Sequence, residues 1–292
     1  MMNCCSVQRN CVLDLTQLAL NLREAHVTQV RGTEAAARVA DVLMVFTDGP
    51  SALGVTTIAR ELGLSKAVVH RILNSLVDRK LLSSDPRTHE YHLGVAAAAL
   101  GARALRGSEL RSAALPVLRS LRKTTNETVT VSALVAGGRV YLDQVESTRE
   151  IKMTVELGRR FPLHAGSSSS CILAFLTESE QESVLQDGHL EMLTNRTVTD
   201  AEALRQRLRE IRADGFSWSE GERQEGAGSI AAPIFGFDGE VVGAISVCGP
   251  VGRFDVATRE RFVPLLLEAA ETVSRRLGWR GGLPARLERA GA

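Results

Sequence analysis

VTTIARELGLSKAVVHRILN, residues 55–74, carries the most informative spacing in this chain of 292 residues. Within it a small residue, Ala59, is followed four positions later by Gly63, where a turn between two helices needs a positive φ. Val69 and Ile72 come ten and thirteen positions after Ala59, which puts both on the inward side of a second helix. The other apolar positions agree with this register: Ile58, Leu62 and Leu64. Because a plain helical hairpin rarely meets all these constraints, the spacing predicts a DNA-binding helix-turn-helix.

The same register predicts which side chains the second helix presents to DNA. Such a helix lies in the major groove with its N-terminal residues at the base edges. Arg71 can make a bidentate contact to guanine, and Asn74 can reach adenine or phosphate. Lys66 and the threonines that open the first helix suit phosphates, and Arg87 could enter the adjacent minor groove. The predicted DNA-binding residues are Thr56, Thr57, Ser65, Lys66, Ala67, His70, Arg71, Asn74 and Arg87. The alternative for His70 and Arg71 is a solvated helix face.

The segments on either side of the motif complete a small domain. Val39–Phe46 has its apolar residues at helical spacing, and Asp48-Gly49-Pro50 ends that helix. After the motif, Leu81-Leu82 begins a strand, a turn follows at Asp85–Thr88, and a return strand closes at Gly94. Three helices and a two-stranded wing make a winged helix-turn-helix.

The second half of the chain has a different pattern, with β-branched strands joined by tight turns and flanked by helices. It predicts one helix that begins at Pro116 and further helices over Ser169–Leu176 and Val256–Leu277. A capping box at Thr199–Glu202 precedes a helix that ends near Gly215. The predicted strands are Thr128–Val135, Val140–Val145, Ile151–Val155, Ser229–Phe235 and Val241–Val247. This mixture indicates an α+β domain. The alanine-rich segment before it favours a linker helix that could pack against a second copy.

These patterns divide the chain into five predicted segments. They are a poorly ordered extension (1–33), the winged helix-turn-helix (34–94), the linker helix (95–112), the α+β domain (113–280) and a tail (281–292). The net charge of +1 conceals a division by segment. Residues 34–112 hold 10 basic and 8 acidic side chains, a balance of +2, whereas residues 113–280 hold 20 and 23, a balance of −3. A mildly basic N-terminal half beside an acidic C-terminal half remains compatible with DNA binding, because binding needs only a local basic face.

Composition excludes several other classes of protein. Hydrophobic residues make up 44% and charged residues 24%, which is typical of a soluble globular protein, and no apolar run is long enough for a membrane span. The start MMNCCSVQRN lacks the apolar core of a signal peptide, so we expect a cytoplasmic protein. The five cysteines lack zinc-site spacing, and we expect neither a metal nor a cofactor. No P-loop or dinucleotide motif occurs, and Gly166–Ser169 lacks the second glycine of a nucleophile elbow, so an enzyme is not expected.

With these features together, the chain resembles the IclR family of bacterial transcription regulators over about residues 34–279. The matching segments are, in order, ARELGLSKAVVHRIL, YHLG, PVLRSLRKTTNETV, GGRVYLDQVES, GRRFPLHA, RADGFSW, IAAPIF, GAISVCGP and SRRLGW. The resemblance implies a winged helix-turn-helix in front of a GAF-like effector domain. It also implies homodimers or dimers of dimers that bind double-stranded operator DNA, most often as repressors. A small molecule, often a carboxylate, then alters DNA binding.

The resemblance also implies a ligand pocket. In the family, backbone amides of the loop after the PLHA-like segment hold the ligand carboxylate, and that loop is Gly166–Ser170 here. An anion is favoured there because a loop that opens a helix presents unpaired N–H groups. The family's usual Gly-Lys pair is replaced by Ser169-Ser170. The implied effector-binding residues are Ser167, Ser168, Ser219, Glu220, Ser229, Ser246 and Cys248. Their hydroxyls suggest a polar effector, an organic acid or an aromatic metabolite.

Purely structural roles are the alternative for these pocket residues. The four serines could form a plain flexible loop, and Cys171 and Cys248 could be buried apolar filler. A redox-responsive regulator on the same scaffold, using Cys171 and Cys248, is the alternative function.

Overall fold

The computed structural model describes residues 33–48, 50–186 and 190–282. The predicted extension before Thr33, Gly49 of the helix-ending turn and the tail beyond residue 282 lie outside the described residues.

The N-terminal unit contains three helices and a small antiparallel sheet. Its elements are α1 (Glu34–Val45), β1 (Leu53–Gly54), α2 (Val55–Glu61), α3 (Lys66–Asp78), β2 (Leu82–Ser84) and β3 (Glu90–Leu93), with strand order β1-β3-β2. Gly63 has a φ of +62° in the turn between α2 and α3, as predicted. β1 was not predicted, and it forms because Leu53 pairs with Tyr91 across the sheet. The winged helix-turn-helix architecture is therefore present.

One face of α3 forms the centre of this unit's core. Val69 and Leu73 have no exposed surface and pack with Val42 and Ile58. Ile72, predicted to point inward, lies half-buried at the edge of the same cluster. The opposite face of α3 is thereby left to solvent.

The linker is two helices rather than one. The predicted continuous helix ends at Gly107, and Ser108 caps a new helix because its hydroxyl accepts a hydrogen bond from the Arg111 N–H at 3.2 Å. The two helices are α4 (Val95–Gly107) and α5 (Glu109–Thr125). Pro116 lies inside α5, so the prediction that it begins a helix was wrong. α4 contains no buried residue.

The C-terminal unit is built on a six-stranded antiparallel sheet of order β6-β5-β4-β9-β8-β7. Its strands are β4 (Thr128–Val135), β5 (Gly138–Val145), β6 (Arg160–Phe161), β7 (Ser217–Glu220), β8 (Ala227–Phe235) and β9 (Val241–Pro250). Its helices are α6 (Ser167–Phe175), α7 (Glu178–Gln186), α8 (Ala201–Asp214) and α9 (Val256–Arg276). The predicted mixed α+β fold class is confirmed.

Two local predictions in this unit were wrong. Ile151–Val155 is not a strand, because the side chain of Gln144 takes the place of a ladder partner. Its Oε1 accepts from the Val155 N–H at 2.9 Å, and its Nε2 donates to the Val155 carbonyl at 3.1 Å. The capping box does not form either, since Asp200 rather than Thr199 caps α8, accepting from the Ala203 N–H at 2.7 Å.

The two faces of the large sheet have different chemistry. One face is apolar and packs on α5 and α9, with Val129, Val131, Ile230, Ile245 and Val247 in the core. The other face, covered by α6, carries small polar residues. They include Thr130, Ser132, Ser219, Ser229 and Ser246. Because strand side chains alternate, each strand contributes to both faces, and the polar face encloses a cavity.

Candidate functional site

The predicted DNA-contact residues lie on an open surface of the N-terminal unit. Exposed side chains along the start and outer face of α3 are Ser65, Lys66, Ala67, His70, Arg71 and Asn74. Thr56 on α2 is exposed, whereas Thr57 is half-buried. Arg87 stands at the tip of the wing with 90% of its side chain exposed, and Asp85 accepts its backbone N–H at 2.8 Å. The exposed α3 residues follow the outer side of that helix, and Arg87 lies in the β2–β3 turn, as expected for a recognition helix and a wing.

Asn74 and His70 are in contact within this face. The Asn74 amide nitrogen lies 3.3 Å from Nδ1 of His70, one helical turn away. Both lie on α3, which is capped at its N-terminus by the Ser65 hydroxyl accepting from the Val68 N–H at 3.3 Å. Arg71 has no ion-pair partner among the described residues, so its guanidinium is available for a phosphate or a base.

The second candidate site is the cavity between α6 and the polar face of the sheet. Six of the seven residues implied by the resemblance line it: Ser167, Ser168, Ser219, Ser229, Ser246 and Cys248. Glu220 does not line it, because it alternates to the other side of β7 from Ser219 and pairs with Arg196 at 3.7 Å.

Strand register brings the cavity residues together. Ser219 lies opposite Ser229, which in turn lies opposite Cys248, across β7, β8 and β9. The Ser167 hydroxyl donates to the Ser229 hydroxyl at 2.8 Å and joins α6 to the sheet. Thr130 and Ser246, 116 positions apart, share a hydrogen bond of 2.7 Å between their hydroxyls. The hydroxyls on this face of the sheet therefore include two separate hydrogen-bonded pairs, one of which ties α6 to β8.

The N-terminus of α6 opens into this cavity. Gly166, with a φ of +88°, ends the preceding loop and lets the chain turn into the helix. Its N–H donates to Oε2 of Glu222 at 3.2 Å, and Oε1 of Glu222 accepts from Arg207 at 2.6 Å. The following N–H groups, those of Ser167 and Ser168, belong to the first turn, which has no intrahelical carbonyl partner. They are therefore free to bind an anion.

Sequence reasoning missed several side chains of the cavity wall, and four of them are ionisable: Arg139, Tyr141, Glu222 and Arg223. A signal for two of them was present, since Arg139 and Tyr141 alternate on β5 and fall on one face. An arginine whose side chain faces the protein interior from a strand is uncommon, and this marks Arg139 as a candidate site residue.

A contact also joins the C-terminal unit to the N-terminal unit. The Arg160 N–H on β6 donates to the Thr47 carbonyl at 2.8 Å, and its Nε donates to Asp48 Oδ1 at 2.6 Å. The second guanidinium nitrogen contacts the other Asp48 oxygen. On the same two-residue strand pair, Arg139 lies opposite Phe161. A cavity residue and an interdomain contact are thus neighbours in one ladder.

Cys171 and Cys248 are both buried and free. Burial raises the pKa of Cys248 to about 12 and that of Cys171 further still. The thiolate is the reactive form, and both groups are therefore poorly suited to redox sensing in this conformation.

We expect both buried thiols to alkylate slowly in the native protein at pH 8. A raised pKa lowers the fraction of reactive thiolate at a given pH, and burial also keeps the reagent away from the sulfur. Peptide mapping by mass spectrometry after iodoacetamide treatment measures each site, with the protein in urea as the control. Equal labelling of Cys248 in both states would contradict the expectation.

None of the described helices combines the length and apolarity needed to cross a membrane.

Comparison with known families assigns both units. Residues 35–86 match the IclR helix-turn-helix domain, and residues 102–275 match the bacterial transcriptional regulator IclR C-terminal domain. The chain is 34% identical over 243 residues to the HTH-type transcriptional regulator BhcR of Paracoccus denitrificans, covering 83% of this chain and 87% of that one. It is 33% identical over 250 residues to the glycerol operon regulatory protein of Streptomyces griseus, covering 85% and 98%.

Solved structures give the same result. The crystal structure of an IclR transcriptional regulator from Silicibacter sp. TM1040 matches with a TM-score of 0.76 and 27% identity, covering 85% of this chain and 98% of that one. An IclR homolog of Microbacterium hydrocarbonoxydans, complexed with 4-hydroxybenzoate, matches with a TM-score of 0.65 and 29% identity, covering 84% and 99%. The matched families and relatives are transcriptional regulators, not enzymes. This chain therefore belongs to the IclR family of bacterial transcriptional regulators.

Proposed function

We propose that this regulator is a repressor whose operator binding is altered by a small organic acid. The observation that carries the proposal is the cavity in which eight hydroxyl- or thiol-bearing residues surround the N-terminus of α6. Its free N–H groups suit a carboxylate, and its hydroxyls suit further polar groups of the same molecule. The related Microbacterium protein, complexed with an aromatic carboxylate, supports this class of ligand.

On the DNA side, α3 would enter the major groove and the wing would lie beside it. Arg71 and Asn74 would contact bases, whereas Thr56, Thr57, Ser65 and Lys66 would contact phosphates. Ala67 and His70 would pack against the groove, with Arg87 in the adjacent minor groove. A homodimer or a dimer of dimers would present two or more such surfaces to paired half-sites. Exposed apolar side chains on α4 support assembly, since Val95 is 73% and Leu100 is 63% exposed.

Coupling requires that the effector bind two arrangements of the protein with different affinity. Two connections run from the C-terminal unit to the N-terminal, DNA-binding unit. One is the linker, where α4 and α5 meet at Ser108. The other is the β5–β6 pair, in which Arg139 faces the cavity and Arg160 holds the end of α1 through Asp48. An effector that shifts this pair would move the DNA-binding unit relative to the sheet.

The test is a thermal-shift screen of small organic acids and aromatic metabolites, followed by DNA binding measured by fluorescence anisotropy with the upstream DNA of the protein's own gene. A ligand that binds only the folded state raises the melting temperature by an amount set by its concentration over Kd. We expect one or more acids to raise the melting temperature and to change the affinity for DNA. An acid that binds tightly without changing DNA affinity would contradict the effector role.

We expect the double variant Ser229→Ala with Ser246→Ala to blunt the effector response while leaving ligand-free DNA binding intact. Each hydroxyl is worth about 0.5–1.5 kcal/mol, so the effector concentration for half-response should rise about five- to a hundredfold. Anisotropy titrations of the DNA complex with effector measure the shift. Ser120→Ala, on the exposed side of α5, is the matched control. Loss of ligand-free DNA binding would mean instead that the two serines serve folding.

A further inference from the structure

Arg139 is a buried cation without a carboxylate partner. Its side chain is among the largest in the core, with only 1% of the residue exposed. Its three nitrogens donate to neutral hydroxyls: Nε to Ser169 at 2.8 Å, Nη1 to Ser132 at 3.1 Å and Nη2 to Tyr141 at 3.1 Å. Among the described residues, no carboxylate lies within 4.0 Å of its guanidinium.

This charge is costly where it stands. Arginine stays protonated in proteins, and a buried charge is normally paired. Burial lowers the pKa of Arg139, and the positive charge of Arg223 acts in the same direction. The guanidinium lies 4.3 Å from the centre of the Tyr141 ring, a contact that stabilises it only in part. An anion in the cavity would compensate it.

Arg223 is a second cation on the same cavity wall. Its guanidinium lies 4.9 Å from the centre of the Phe161 ring and 5.9 Å from that of Tyr141, the ring that Arg139 also contacts. Within the described part of the chain it too lacks a carboxylate at ion-pair distance. The neighbouring Glu222 does not serve, because its two oxygens already accept from Arg207 and from the Gly166 N–H. Two positive charges therefore face one cavity without local compensation.

We propose that the effector carries two acidic groups on a short carbon chain, one held by the Ser167 and Ser168 amides and the other by Arg139 and Arg223. This inference rests on the proposed function, because it names the chemical class of the ligand of that site. A monocarboxylate would satisfy the helix N-terminus and leave the two guanidiniums uncompensated. The cavity is small in this conformation, which favours a short skeleton such as that of malonate or succinate.

The test compares acids matched in chain length at constant ionic strength. Malonate is compared with propionate, and succinate with butyrate, by calorimetric titration and thermal shift of the full-length protein. Charge-assisted hydrogen bonds to a second carboxylate should make the better dicarboxylate bind at least about tenfold more tightly than its monocarboxylate partner.

Variants of the two arginines assign that preference to its residues. Arg223→Gln, at a half-buried position, should reduce the preference to about twofold or less, and Arg139→Lys should retain part of it because the charge is kept. Arg209→Gln, an exposed arginine of the same unit, should leave the preference unchanged. Equal binding of both acids of each pair, binding of neither, or a full preference in Arg223→Gln would overturn the proposal.

The readouts separate this inference from the proposed function. Dicarboxylate binding that depends on Arg223 but leaves DNA affinity unchanged would support the two-anion site and overturn the effector role. Conversely, a neutral or singly charged ligand that releases DNA in both wild type and Arg223→Gln would support the effector role and overturn the two-anion site.

Discussion

Replacing Arg71 by alanine is expected to weaken operator binding by about 1–3 kcal/mol for each half-site. In a complex that contacts two half-sites the loss would be about 2–6 kcal/mol, which is about thirtyfold or more in affinity. The reason is that Arg71 lies on the exposed face of α3, has no ion-pair partner among the described residues, and can donate two hydrogen bonds to one guanine.

Anisotropy titrations at fixed salt, with the operator and a set of single-base variants, measure this effect. Arg71→Ala should relax the preference at one base pair of each half-site. Lys66→Ala is the matched control on the same helix, because a phosphate contact should weaken binding to all sequences alike and reduce the salt slope by about one. Unchanged affinity and unchanged base preference for Arg71→Ala would remove Arg71 from base recognition.

The second large effect concerns the opposite face of the same helix. Leu73→Ala is expected to destabilise the N-terminal unit by about 2–5 kcal/mol, because the substitution empties a position with no exposed surface in the helix-turn-helix core. His70→Ala, on the exposed face one turn away, should change stability by less than about 0.5 kcal/mol.

Because the chain has two units, local hydrogen exchange reports this loss better than a single global transition. Hydrogen exchange of the α3 amides should accelerate in Leu73→Ala, while the amides of the sheet in the C-terminal unit keep their protection. A protection loss that is equal for Leu73→Ala and His70→Ala would contradict the assignment of the two faces.

The paired outcome bears on how the regulator is built. Val69 and Leu73, on one face of α3, pack in the core of the N-terminal unit, whereas Arg71 lies on the opposite, exposed face, which we propose contacts DNA. The six-stranded sheet of the C-terminal unit also has two different faces, one apolar against α5 and α9 and the other polar around the cavity. In both the helix and the sheet, the periodic direction of the side chains places core residues on one face and the proposed binding residues on the other.

The helix-turn-helix was predictable from sequence because its constraints are local. Ala59, Gly63 and Val69 lie within eleven residues, and the φ of +62° at Gly63 is the conformation that its position in the turn requires. Strands flanking tight turns, such as Thr128–Val135, were predictable for the same reason. The division of the linker at Ser108 and the position of Pro116 inside a helix were not predictable in this way. Both residues suit a helix start, and it is Ser108 that caps the helix.

The sequence by itself determined the two-unit organisation, the register of the recognition helix and the abundance of hydroxyl-bearing residues at the cavity of the C-terminal unit. Only the tertiary structure decided that Thr130 meets Ser246 across 116 residues, that Glu220 faces Arg196, and that Arg139 stands uncompensated beside the cavity. The physical reason is range, because turns and helix faces depend on neighbours a few positions apart. A cavity depends on strand register between distant segments, which no local pattern specifies.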